Sequence, residues 1–239
     1  MHEFLFGIYP YICLSVMLVG SIVRYERDPF TWKSSSSQLL RRKQLITGSV
    51  LFHAGVIVVF FGHLFGLLTP IQVFDMLGIG HGFKQVLAIV VGGVAGVMSL
   101  AGGLMLLHRR LFDPRIRKTS SFADIGILVL LVVQLVLGLG TILVSVQHLE
   151  GGQMVAFMAW SLGIFTFDFN AASYIADAHL IFKIHIFLGL TIFLLFPFTR
   201  LVHMLSAPFG YVLRPGYQVV RSRRSAPAGR TGNDARMGG

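Results

Sequence analysis

Four histidines stand inside apolar stretches of the chain, His53 and His63 in one and His185 and His203 in another. An ionisable side chain in hydrocarbon is costly, so its presence there points first to function. A neutral imidazole is a common metal ligand. Two histidines on each of two helices can hold two haems, one above the other across a membrane. An iron closed on both sides by imidazole has no open position for a substrate and can only pass an electron. The ordinary alternative is two pairs of hydrogen-bonded histidines inside a helix bundle. One membrane histidine fits that alternative; four, matched on two helices, fit it poorly.

The elements that must carry these residues are membrane spans. The chain is 54% apolar and only 13% charged, against about 25% charged in a soluble domain, and its mean hydropathy is +0.75. Apolar runs long enough to cross a bilayer as helices cover residues 4–23, 46–68, 86–107, 123–146 and 180–204. A further run, 154–167, has 14 residues; it is too short to span and reads as an interfacial or re-entrant helix. No barrel-type alternation is present, so the expected fold is an all-α integral membrane protein, a bundle of five transmembrane helices.

Lysine and arginine set the expected orientation. Residues 1–4 carry none. The stretch after the first span carries Arg24, Arg27, Lys33, Arg41, Arg42 and Lys43. The next connection has only Lys84. The third span is followed by Arg109, Arg110, Arg115, Arg117 and Lys118, residues 147–178 have none, and six arginines lie beyond residue 213. This alternation predicts the N-terminus outside and the C-terminus in the cytoplasm. The acids Glu3, Asp75, Glu150, Asp168 and Asp177 then lean outward. The net charge of +10 is thus a topology signal, and a nucleic-acid partner is not expected.

Depth then pairs the histidines. The second span runs outward and the fifth runs back, so His63 meets His185 near the outer surface and His53 meets His203 near the cytoplasm. Ten residues rise ~15 Å and eighteen rise ~27 Å along a helix, so tilt and the reach of the imidazoles must absorb a difference. Eighteen residues are also about five helical turns, which places His185 and His203 on one face of a continuous helix. Pro197 between them is expected to kink it. Gly55, Gly62, Gly66 and Gly189 beside the candidate ligands leave room for a planar macrocycle or, equally, serve close helix packing.

The remaining features are plainer. The first span lacks a basic leading segment and a small-residue cleavage site, so it reads as a retained span. The single cysteine, Cys13, cannot form an internal disulfide and reads as a core or lipid-facing thiol. No internal repeat is found. Residues 1–222 form the membrane domain, and 223–239 read as a basic, disordered tail. The stretch 24–44, with Tyr25, Phe30 and Trp32, reads as a docking surface for a soluble partner. Arg200, one turn from His203, can reach the propionates of an inner haem or extend to the interface. His81 and His148 read as solvated residues that could accept protons.

Several stretches carry a family resemblance. They include Ile8-Tyr-Pro-Tyr-Ile12, Ser21-Ile-Val-Arg-Tyr25, Thr31-Trp-Lys-Ser-Ser-Ser-Ser-Gln38, Leu51-Phe-His-Ala-Gly55 and Gly62-His-Leu-Phe-Gly-Leu-Leu-Thr-Pro70. His108-Arg-Arg-Leu-Phe-Asp-Pro-Arg115, Gln147-His148 and the segment from His185 to Leu195-Phe-Pro-Phe-Thr-Arg-Leu-Val-His203 complete the set. Across residues 6–222 the chain resembles the cytochrome b (gamma) subunit of membrane-bound respiratory nitrate reductase. The resemblance implies two haem b groups, a distal one on His63 and His185 and a proximal one on His53 and His203. It implies a quinol substrate near the distal haem, with Lys84 as its binding cation and Gly62 leaving space at the haem edge. An iron–sulfur (beta) subunit and a molybdenum catalytic (alpha) subunit would be the partners. The place would be the cytoplasmic membrane of a bacterium or archaeon.

The expected mechanism is quinol oxidation at the outer side and electron delivery to the iron–sulfur partner inside. Each charge moved against the membrane field is worth about 2.3 kcal/mol per 100 mV. The chain has no cysteine cluster to house a molybdenum or iron–sulfur centre, so nitrate reduction itself would fall to a partner. Three alternatives stay open at this level: a dihaem quinone-reactive subunit of another respiratory complex, a transporter with histidines on a proton path, and a membrane anchor without a redox centre.

Overall fold

A computed structural model describes residues 1–28, 30, 32, 40 and 42–206. The expected tail 223–239, its boundary at residue 222, and much of the 24–44 docking stretch lie outside the described residues. Among the described residues, five helical segments are long and apolar enough to cross a membrane, and no strand occurs.

The chain opens with a wide π-type turn, Phe4–Ile8, that runs into α1, Tyr9–Arg27. Pro10 follows this turn inside continuous helical backbone; it has no N–H for the carbonyl one turn earlier, and the Trp160 indole donates to the Phe6 carbonyl instead, at 2.9 Å. Helix α2 is Arg42–Leu68 and ends at Thr69-Pro70, which starts the short α3, Ile71–Met76. Gly78 then takes a left-handed turn, φ 68°, and α4 follows over His81–Phe112. Asp113 caps α5, Pro114–Lys118, by accepting from the Arg115 and Ile116 amides. Ser121 and Asp124 form a reciprocal capping box that starts α6, Phe122–Ser145. The fourteen-residue apolar run becomes α7, Gly152–Thr166, too short to span. A 3-10 turn at Ala171–Ile175 leads to α8, Leu180–Leu195.

The fifth span is not one continuous helix to residue 204, as its hydropathy suggests. It stops at Leu195, makes a short turn over Phe196–Phe198, passes through an extended Thr199, and resumes as a 3-10 turn over Arg200–Ser206. Pro197 breaks the helix because its ring removes a donor and crowds the preceding turn. The expected kink is therefore a full break.

The spans pack in the order α2, α4, α6, α8, α1. Small residues allow the closest crossing, α2 on α4: a methyl group on Gly55 would collide with Ser99 Oγ and the Ala95 carbonyl, and one on Gly102 with the backbone of Phe52 and Gly48. Helices α2 and α8 are not among the closely packed pairs. At one end of the bundle Phe6, Trp160, Ile164, Ala171, Ala172 and Ile175 form a core, with the Trp160 indole donating to the Phe6 carbonyl at 2.9 Å. This end carries Asp75, Glu150, Asp168 and Asp177. The opposite end carries the arginines of α1, α4 and α5 and a second core of Ile127, Ile192, Phe196, Leu201 and Val202.

Candidate functional site

The four histidines form two facing pairs, with α2 on one side and α8 and the 3-10 turn Arg200–Ser206 on the other. His53 faces His203 with ring centroids 6.2 Å apart at the basic end, and His63 faces His185, also at 6.2 Å, toward the other end. The depth-based pairing is thus the one the fold makes. The height mismatch disappears because His203 does not stand on the helix that carries His185. A 3-10 turn and an extended residue rise more per residue than an α-helix, so the chain turns aside at the break to bring His203 opposite His53.

The proton positions follow from the partners. His53 Nδ1 lies 2.8 Å from the Ser49 carbonyl, His63 Nδ1 2.8 Å from the Val59 carbonyl, and His203 Nδ1 2.5 Å from the Arg200 carbonyl. A carbonyl only accepts, so each Nδ1 donates, and in a neutral imidazole each Nε2 keeps its lone pair free. His185 differs: its Nδ1 is buried with no hydrogen-bond partner, its ring lies against α6, and Gln134 Nε2 donates to its carbonyl at 3.1 Å. A methyl group on Gly138 would stand 3.0 Å from His185 Cε1, so α6 presents a glycine where the imidazole needs room.

This arrangement fits an iron macrocycle. A metal–imidazole bond is about 2.0 Å, so two rings that close one ion from opposite sides stand on the order of 6 Å apart, centroid to centroid. Among the described residues no group of three or more His, Cys, Asp and Glu is placed to hold a metal. Two facing imidazoles supply two positions only, and the other donors must come with the ligand, as they do in a porphyrin.

Lys84 lies near the His63–His185 pair. It is not in a loop, as its place between two hydropathy peaks suggests, but in the first turn of α4, and only 7% of it is exposed. Its ammonium donates to the Gly66 carbonyl at 3.2 Å and to Met158 Sδ at 2.8 Å, and stands 3.7 Å from the centre of the Phe74 ring. Gly66 is one turn from His63 on α2. Thus α2, α3, α4 and α7 converge on one ammonium, which the described residues give no carboxylate partner. Gly62 and Gly66 have nothing within 4 Å of an added methyl group, so space is open beside His63. Gly55 serves the α2–α4 crossing instead, and Gly189 sits against Gln134.

Residues 2–223 match the family described as nitrate reductase gamma subunit. The chain is 46% identical to the respiratory nitrate reductase 2 gamma chain of Escherichia coli K12 over 94% of its own length and 98% of that protein's. It is 40% identical to the nitrate reductase gamma chain of Bacillus subtilis 168, over 92% of this chain and 98% of the other. This chain belongs to the nitrate reductase gamma subunit family.

A gamma subunit is one chain of a larger oxidoreductase, which implies catalytic partner subunits. In this gamma-family chain the side chain of Arg200 faces Asp124, 3.7 Å away, while its carbonyl holds His203. Sequence reasoning saw only the side chain. It also passed over Gln134, although a lone carboxamide in an apolar span is itself a signal. Other histidines take local roles: His81 pairs with Asp75 at 3.1 Å, His148 bonds the Val144 carbonyl, His179 caps α8, and His2 bonds the Ala172 carbonyl.

Proposed function

We propose that this chain oxidises a quinol beside Lys84 and delivers the electrons to an iron–sulfur partner at the basic end, with two haem b groups as carriers. The supporting observation is the pair of facing imidazoles, each 6.2 Å between centroids, at two depths along α2, one opposite α8 and one opposite the 3-10 turn Arg200–Ser206. A haem held between two imidazoles supplies one-electron transfer at a closed iron. His63 and His185 would hold the distal group and His53 and His203 the proximal one.

The chain's own residues do the rest. The carbonyls of Ser49, Val59 and Arg200 fix three ligand tautomers and raise the basicity of Nε2. Lys84, held by a carbonyl, a thioether and a ring face, keeps donor capacity for a quinol oxygen, and Gly62 leaves the approach open. Arg200 borders the proximal group. The Lys84 end faces outside and the arginine-rich end faces the cytoplasm, by the positive-inside rule. There the molybdenum subunit, fed by the iron–sulfur subunit, reduces nitrate in the cytoplasmic membrane of a prokaryote.

A reduced-minus-oxidised spectrum with haem quantitation on the purified complex tests this reading. The expected result is two b haems per chain, and none would reject it. His63→Ala is expected to remove one of the two and to stop reduction by quinol; normal quinol reduction of that variant would reject the distal assignment.

A further inference from the structure

The inner histidine pair depends on an irregular piece of backbone. A helix running straight from His185 would carry His203 about 12 Å beyond the depth that the ~15 Å rise from His63 to His53 requires. The chain avoids this by breaking after Leu195, with Thr199 extended at φ −121°, ψ −179°. A break in a helix frees carbonyls from their intrahelical donors, and each needs a partner from elsewhere.

Helix α1 supplies that partner. Arg24 Nη1 donates to the Pro197 carbonyl at 2.7 Å and to the Thr199 carbonyl at 2.8 Å. One nitrogen thus bridges the two sides of the break. One turn earlier, on the same face of α1, Gly20 lies under Pro197: an added methyl group would stand 2.8 Å from Pro197 Cγ. The proline ring occupies the place of the missing side chain, and the guanidinium reaches the carbonyls beyond it. Inside the break, Thr199 Oγ1 donates to the Phe196 carbonyl at 3.2 Å and accepts from the Leu201 amide at 3.4 Å. Leu201 and Val202, next to His203, are buried in the basic-end core. The strand of contacts from Arg24 to His203 is therefore continuous.

We infer that Arg24, seated by Gly20, is a positioning residue for the inner haem ligand: it holds the break at Pro197–Thr199 in the form that sets His203 opposite His53. The inference rests on the haem assignment above. Its meaning for Arg24 is separate from the charge that orients the chain, because a lysine would serve the charge equally, whereas its shorter side chain and compact, strongly hydrated ammonium differ in reach and shape from the planar guanidinium whose Nη1 makes both bonds.

The test uses the assembled membrane complex with three variants, Arg24→Gln, Arg24→Lys and Gly20→Ala. The readouts are haem content, the low-spin electron paramagnetic resonance signals and the midpoint potential of each b component. Arg24→Gln is expected to shift or remove the component assigned to His53 and His203 and leave the other unchanged, and Arg24→Lys to lie between it and the parent. Gly20→Ala, which displaces Pro197 without touching a charge, is expected to alter the same component. If Arg24→Gln does not assemble, the other two variants carry the test. Unchanged signals from both components, or an equal loss of both, would overturn the inference while the haem assignment stands. A parent protein without haem would instead remove the assignment beneath it.

Discussion

The two histidine pairs share one centroid distance, 6.2 Å, but are built by different means. The outer pair sits on two regular helices, and its rings meet at 44°. Its fit depends on side-chain volume: Gly138 makes room for His185, and Gly62 leaves the flank of His63 open. The inner pair meets at 71°, and one member stands on a 3-10 turn beyond a broken helix. Its fit depends on backbone path: Pro197 ends the helix, Arg24 binds the freed carbonyls, and the Arg200 carbonyl orients the ring. One bundle thus places equivalent side chains by register at one depth and by rupture at the other. The outer site is sensitive to added volume, and the inner site to anything that lets the helix continue.

The largest effect is expected from removing one histidine of either pair. In His203→Ala the outer component should still be reduced by quinol while transfer to the partner stops; in His185→Ala reduction by quinol itself should stop. Stopped-flow spectra under quinol would separate the two, and identical traces would break the assignment of depths. Next comes Lys84→Ala. Loss of a charge-assisted hydrogen bond is worth about 1.5–3 kcal/mol, which converts to a KM for quinol raised roughly ten- to a hundredfold. Haem content should not change, and steady-state kinetics with haem quantitation would check both halves.

Gly138→Val sharpens the comparison from the outer side. Forcing extra atoms into a packed site costs about 1–3 kcal/mol, and redox titration should show a shift confined to the outer component. A shift of both would mean that the two sites are not mechanically separate. The smallest effect is expected from Ser49→Ala. Ser49 Oγ lies 3.2 Å from His53 Nδ1, but the nearer Ser49 carbonyl, at 2.8 Å, survives the exchange. The inner potential should move by an amount equivalent to less than about 1 kcal/mol.

The amino-acid sequence by itself determined the class of the protein and the rough course of its spans. Hydropathy is a local property, and stretches such as 46–68 and 123–146 state it without help from neighbours. The arginine clusters of the alternate connections and the order of the four histidines along antiparallel spans are equally local, so the pairing of His63 with His185 and of His53 with His203 was already legible. What only the tertiary structure decided concerns which surfaces meet. Lys84 reads as a loop residue until Gly66, Phe74 and Met158 close around it from three other elements. Gly55 and Gly62 look alike along the chain, yet one seats α4 and the other faces open space. Arg24 reads as one charge among many until the carbonyls of Pro197 and Thr199, more than 170 residues away, come within its reach. Apolar periodicity follows the single chain, whereas a buried donor finds its acceptor only after distant helices have packed, because no water remains between them to serve either one.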